Sequence, residues 1–177
     1  ENTYRIADGG VMLTLDKRMQ QCLEKACAEI KKGAAVILDC KTGEILASAS
    51  FPAVDPNDLA ACMENEDAPF VNRALCAYTP GSVFKLICAA SALEYGIDYK
   101  EVYTCTGSIV VDGLTITCYG GKAHGEVNLR TALRSSCNGY FIQLAQKLGA
   151  EKILSMAEKL GFGTSVLLAD NLETAAG

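Results

Sequence analysis

The sequence predicts a mixed α/β chain of the α+β type, built on an antiparallel sheet. Three observations carry this. A helix-periodic apolar run opens the readable part of the chain. Two apolar runs joined by a short, glycine-ended connection follow it. The second half then holds several apolar stretches of helical length, each closed by glycine or a polar turn.

Asp16 precedes apolar residues at Met19, Cys22, Leu23, Ala26, Cys27 and Ile30, the spacing of an amphipathic helix with an aspartate N-cap that ends at Lys31-Lys32-Gly33. Residues 34–39 and 44–50 read as two strands, with Cys40-Lys41-Thr42-Gly43 as their hairpin turn. Two prolines make 51–58 irregular, and 67–81 reads mostly as loop. Residues 82–95 form a helix apolar almost all round, closed by Gly96, which predicts burial on most sides. A hairpin of 103–111 and 114–119 is expected around Asp112-Gly113. Helices are expected over 127–134, 139–148 and 151–160, with Gly149 and Gly161 as stops.

With 177 residues, half of them apolar and a net charge of −5, the chain is long enough for one domain with a real core, and no inter-domain linker is visible. No Lys/Arg cluster suggests nucleic-acid binding. The longest uncharged stretch, 135–146, is well below the roughly 18 residues of a membrane helix. The chain begins at Glu1 with no leader pattern, so it reads as a piece of a longer or processed protein. Nine cysteines cannot all pair within one chain, and there is no Cys-x-x-Cys. Cys22, Cys27 and Cys88 sit in apolar surroundings and read as small hydrophobes.

Chemistry concentrates in two places. In Thr79-Pro80-Gly81-Ser82-Val83-Phe84-Lys85, Ser82 opens a helix and Lys85 lies three residues on, on the same face. Burial lowers a lysine pKa, and a neutral amine beside a hydroxyl can take its proton. Backbone N–H groups of the helix start can stabilise an oxyanion. Taken alone, the spacing is common by chance, and an N-cap serine with a snorkelling lysine is the favoured reading. In Ser135-Ser136-Cys137-Asn138, a hydroxyl and an amide lie two residues apart before a helix, where Asn138 alone reads as an N-cap.

Together, in order, Pro80-Gly81-Ser82-Val83-Phe84-Lys85, His124-Gly125-Glu126-Val127 and Ser135-Ser136-Cys137-Asn138 resemble the transpeptidase domain of penicillin-binding proteins. Residues 13–26, 33–57 and 72–75 resemble that family's lead-in, and the wording of 50–57 resembles its class B members. The resemblance implies a β-lactamase/transpeptidase-like fold, an antiparallel sheet with helices on both sides. It implies that Ser82 attacks the penultimate D-Ala carbonyl of a peptidoglycan stem peptide and is acylated by β-lactams. Lys85 is then the general base, Ser136 a proton relay, Asn138 a substrate-positioning residue, and the Ser82 backbone N–H half of the oxyanion hole. No cofactor or metal is needed for such acyl transfer. The implied partners are stem peptides, β-lactams and a membrane glycosyltransferase. The implied place is the outer face of a bacterial cell membrane, with the anchor outside this chain.

The family's third motif, Lys-Thr/Ser-Gly, is expected well downstream of Asn138, and the 177 residues contain only Lys41-Thr42-Gly43, ahead of Ser82. By order this is the ordinary hairpin turn. The chain 1–177 therefore reads as a partial domain, cut before the C-terminal strands. It is expected to be weakly active alone and to expose a strand edge that invites self-association.

Cys105 and Cys118 flank the second hairpin and could face each other across it, as a disulfide permitted outside the cytoplasm or as two free thiols. With His124 they could suggest a metal site, but the spacing fits no common zinc pattern, so none is expected. Alternative readings are a β-lactam sensor, a non-catalytic scaffold, and a β-lactamase, which would need a deacylating glutamate on a loop beyond Asn138, where the sequence does not place Glu151 or Glu173.

Overall fold

The computed structural model describes residues 12–169 and 172–176. The chain divides into two compact units, Glu1–Cys76 and Ala77–Gly177, a division that composition did not announce. The boundary falls in the stretch expected to be loop, which holds only a 3-10 turn at Arg73–Leu75.

In the first unit, α1 (Lys17–Ala26) packs on a hairpin of β1 (Gly33–Leu38) and β2 (Ile45–Phe51). Asp16 caps α1 as expected, its carboxylate accepting the N–H groups of Arg18 and Met19. The helix is shorter than its apolar period, because Cys27 already leaves helical geometry and Ile30 lies beyond it. Of the cysteines on that period, Cys22 is exposed rather than packed. The strands pair antiparallel, Gly33 opposite Phe51, with an irregularity at Ile37/Leu38. Asp39 builds the turn, its side chain accepting the Lys41 and Thr42 N–H groups at 2.7 and 2.9 Å while its carbonyl accepts that of Gly43. Lys41-Thr42-Gly43 is thus a turn, with Gly43 at φ 77° where a side chain would be strained. A short helix, α2 (Leu59–Glu64), follows where no element was expected; Asp58 caps it. The buried Arg73 guanidinium is satisfied by the carbonyls of Asp67, Ala68 and Val71.

The second unit opens with a 3-10 turn, Gly81–Phe84, that runs into α3 (Lys85–Glu94). Three short strands follow, β3 (Tyr103–Cys105), β4 (Ser108–Val111) and β5 (Leu114–Thr117), then a 3-10 turn at Tyr119–Gly121 and β6 (Gly125–Val127). Helices α4 (Leu129–Arg134), α5 (Asn138–Leu148) and α6 (Ala150–Lys159) complete the body, followed by β7 (Leu167–Ala169) and β8 (Leu172–Glu173). The expected long hairpin is split: β4 and β5 pair around Asp112-Gly113, whereas β3 leaves that ladder and pairs with β6. Among the described residues all pairing is antiparallel, in two-stranded ladders rather than one continuous sheet.

The core of this unit joins Cys88, Ala89 and Ala92 of α3 to Leu129 and Ala132 of α4 and to Tyr140, Phe141, Leu144 and Leu148 of α5. Helix α4 starts on a capping box in which Asn128 and Thr131 bond reciprocally. Helix α3 is not buried on most sides. Its inner stripe is Ile87, Cys88, Ala89, Ser91 and Ala92, while Leu86 and Leu93 are exposed.

Candidate active site

Four side chains expected to act together meet within the second unit. Ser82 is held in the 3-10 turn, directly after Gly81, whose φ of 55° favours glycine. Lys85 is the first residue of α3. Its amine reaches Ser82 Oγ at 3.3 Å, Ser136 Oγ at 2.9 Å, the Ser136 carbonyl at 2.8 Å and Asn138 Oδ1 at 2.6 Å. It also sits 5.9 Å from the Phe141 ring centroid. Burial is the leading effect on this amine and pulls its pKa below the ordinary lysine value, against a smaller raising pull from Cys118 and Cys137. The lysine therefore does not snorkel; it bridges the two serines.

Ser136 has a left-handed backbone, φ 50°, which is uncommon for serine and turns its hydroxyl and carbonyl together toward Lys85. Asn138 is not the N-cap of α5. Cys137 takes that place, its sulfur accepting the Tyr140 N–H at 3.5 Å. Asn138 is thereby free to bond outward, and its Nδ2 donates to the Thr117 carbonyl at 2.7 Å. Ser82, Ser136 and Asn138 line a cleft of about 570 Å³, completed by Thr117, Cys118, Tyr119 and Gly120. By position, the backbone N–H of Ser82 belongs to the first turn of its helix, where such groups lack an intrahelical acceptor.

Residues 33–177 match the penicillin binding protein transpeptidase domain. The chain belongs to that family. The transpeptidase-domain relatives include peptidoglycan D,D-transpeptidase PbpA of Mycobacterium tuberculosis, 37% identical over 175 residues, covering 86% of this chain and 36% of the relative. Among solved structures, the D,D-transpeptidase domain of a peptidoglycan glycosyltransferase from Eggerthella lenta matches with a TM-score of 0.82 at 35% identity, covering 89% of this chain and 39% of that one. Penicillin-binding protein A from Mycobacterium tuberculosis, as its penicillin G acyl-enzyme complex, matches with a TM-score of 0.80 at 33% identity, covering 92% and 42%. The class B character and the β-lactamase/transpeptidase-like α/β fold expected from the sequence are borne out. The chain spans about a third of the length of these curated relatives.

In this transpeptidase domain the sequence motifs and the cleft coincide at Ser82, Ser136 and Asn138, and Lys85 is hydrogen-bonded to all three. Thr117, Tyr119 and Gly120 were not singled out from sequence. They arrive through the β4–β5 hairpin, whose strands are too short to show a period. Tyr119 lines the cleft and is almost fully exposed, 99% accessible. Glu151 lies in the first turn of α6 and Glu173 accepts from Ser165; neither lines the cleft.

Behind the Ser136–Asn138 turn lie Cys105, Cys118, Cys137 and His124. Cys105 and Cys118 do approach each other, as free thiols 3.7 Å apart. Burial pushes the Cys137 thiol up. At Cys105 burial also raises the thiol pKa, but the N–H groups of His124 and Gly107 and further hydrogen bonds outweigh it and hold this thiol below its usual value. The sequence reading of Cys105, Cys118 and His124 did not include Cys137, which the start of α5 brings beside them.

Proposed function

We propose that the chain forms the acylating centre of a peptidoglycan D,D-transpeptidase. The observation that carries this is the single Lys85 amine within hydrogen-bond reach of both Ser82 Oγ and Ser136 Oγ, two residues that line an open cleft. Neutral Lys85 takes the Ser82 proton as Oγ attacks the penultimate D-Ala carbonyl. The Ser82 N–H supplies one donor to the developing oxyanion. Ser136, hydrogen-bonded to the same amine, passes the proton to the leaving D-Ala nitrogen. Asn138, fixed by Thr117, holds the substrate's peptide bond with the remaining capacity of its amide. The ester on Ser82 is then attacked by an amine from a neighbouring stem peptide, which regenerates the hydroxyl and makes the crosslink. A β-lactam enters by the same attack on its ring carbonyl.

The described residues hold the Ser-x-x-Lys and Ser-x-Asn motifs, and no Lys-Thr/Ser-Gly follows Asn138 in these 177 residues. Acylation of this chain by itself is accordingly expected to be slow beside a chain carrying all three. The reading places the site on the outer face of a bacterial membrane, alongside a glycosyltransferase that supplies glycan strands. No described helix is long and apolar enough to cross a membrane. Val36 and Leu38 of β1 are exposed, which supports self-association of the 177-residue chain.

A fluorescent penicillin followed by intact mass tests the reading. A covalent adduct on Ser82, absent in Ser82→Ala, is the expected result. An adduct that persists in Ser82→Ala, or none with any β-lactam on a chain containing all three motifs, would overturn it.

A further inference from the structure

A second cavity in the same unit, of about 250 Å³, shares no lining residue with the cleft. One face of α5 forms one wall, with Tyr140, Gln143, Leu144 and Lys147 at helical spacing. Ile97, Glu101, Val102 and Tyr103 form the other. Tyr103 is held in place: its ring lies 3.3 Å from where a Cβ on Gly139 would stand, and it meets Tyr140 edge-on with centroids 6.5 Å apart. Tyr140 carries the decisive observation. It is only 6% exposed, yet among the described residues its hydroxyl has no hydrogen-bond partner. No fully buried side-chain oxygen or nitrogen of the described residues lacks one, so this hydroxyl opens onto the cavity that Tyr140 lines. A phenol buried this far ordinarily has a partner. Burial first, then the Glu101 and Asp98 charges, raise its pKa above the usual tyrosine value, so it remains a donor.

We propose that this cavity binds a free α-amino acid with an apolar side chain. Opposite charges stand side by side in its lining: the Lys147 ammonium donates to the Glu101 carboxylate, and both side chains are about half exposed. An anion alone would be repelled by Glu101, and a cation alone by Lys147. A zwitterion laid antiparallel to the pair gives every charge an opposite neighbour without breaking it. Its carboxylate accepts from Lys147 and from the buried Tyr140 hydroxyl, and its ammonium donates to Glu101. Ile97, Val102 and Leu144 offer its side chain an apolar bed. The volume lies at the small end of ligand cavities, which suits an amino acid rather than a nucleotide or a glycan strand. A pocket filled by solvent alone would also satisfy the phenol, but it would show no preference among solutes.

The site does not rest on the proposed function, because its lining holds none of Ser82, Lys85, Ser136 and Asn138. It is nonetheless close to them along the chain. An occupant would touch Tyr103 and Tyr140, the two rings next to Gly139, and Gly139 directly follows Asn138.

Saturation-transfer NMR of the 177-residue chain with leucine, each enantiomer in turn, tests this. The expected result is saturable binding of one or both enantiomers. It should weaken about tenfold in Tyr140→Phe, which keeps the ring and loses only the hydroxyl, and likewise in Lys147→Met. N-acetylleucine, an anion, and leucinol, a cation, should each bind about tenfold more weakly than leucine. Ser82→Ala should bind leucine as the wild-type chain does, which separates this cavity from the cleft. Leucine binding with no penicillin acylation would leave the site standing and sink the catalytic reading instead. No saturable binding of either enantiomer to the wild-type chain would overturn the site. So would an affinity unchanged in both variants, or N-acetylleucine and leucinol that bind as tightly as leucine. Should Tyr140→Phe fail to fold, Lys147→Met, at a half-exposed position, carries the same comparison.

Discussion

The Lys85 amine sits among more hydrogen-bonding oxygens than an ammonium has protons, so at least one serine hydroxyl must act as donor once the amine is neutral. Because burial lowers its pKa, the base form becomes available below the ordinary lysine value of 10.5. The acylation rate should rise with pH through a midpoint beneath 10.5 and fall as protons return below it. Stopped-flow acylation across pH reads this; a rate flat across that range would remove Lys85 as the base. Lys85→Arg keeps the charge but cannot give up a proton in the working range, so it should lose about 10²–10⁴-fold in acylation rate while keeping the melting temperature near wild type. Asn138→Ala removes both the Lys85 contact and the tie to Thr117. It should cost about 1–3 kcal/mol in stability, measurable by urea denaturation, besides slowing acylation. These side chains were legible in the sequence because short spacings on helix starts, taken in chain order, constrain where a side chain points. The gathering of Cys105, Cys118, His124 and Cys137 was not, since residues brought together by separate strand ends and a helix start leave no local period.

Elements were legible where one force dominates. Asp16, Gly149 and Gly161 mark helix ends as expected, because capping is a local bargain between a side chain or a free φ and orphaned backbone groups. Helix α3 was misjudged for the opposite reason: an apolar surface records what can be covered, not what covers it, and Leu86 and Leu93 remain exposed. The second hairpin was half right. Asp112 and Gly113, at φ 49° and 80°, form the expected tight turn, but the ladder stops at Gly107. That glycine has φ 95°, and a Cβ there would meet the Gly121 carbonyl at 2.4 Å. Gly107→Ala should therefore cost on the order of 3 kcal/mol or more, far beyond Gly113→Ala, whose Cβ would meet nothing and which should lose about 1–2 kcal/mol. Chemical denaturation of the two variants side by side checks the ranking.

At the scale of the molecule, a single-domain reading from length met a chain with two bodies of unequal core. The second has a contiguous set of buried side chains from α3 through α6, whereas the first buries little beyond Leu23, Ala47, Cys62 and Arg73. Apolar burial sets most of a body's resistance to opening. Amide hydrogen exchange should thus be slowest in α3 and α5 and markedly faster in β1 and β2. Within the second body, Leu148→Ala, at 4% exposure, should cost about 2–5 kcal/mol, and Leu154→Ala, at 58%, well under 1. Equal exchange in both bodies would contradict the imbalance. Size and composition fix how much core a chain can build, and which segments share it is decided by long-range pairing that no window of sequence contains.

The winding of one turn has a reach beyond its length. In a 3-10 turn, residues three apart stack almost directly above one another, while in an α-helix they are offset by about 60°. Ser82 lies in the tight pitch and Lys85 at its handover to the wider one, with Phe84 pinned edge-on to Phe162, centroids 5.9 Å apart. Pitch is therefore a control variable: relaxing Gly81–Phe84 into α geometry would swing the hydroxyl out of line with the amine. Such a chain would keep every side chain at the centre and nearly the same helix content, yet it would be silent.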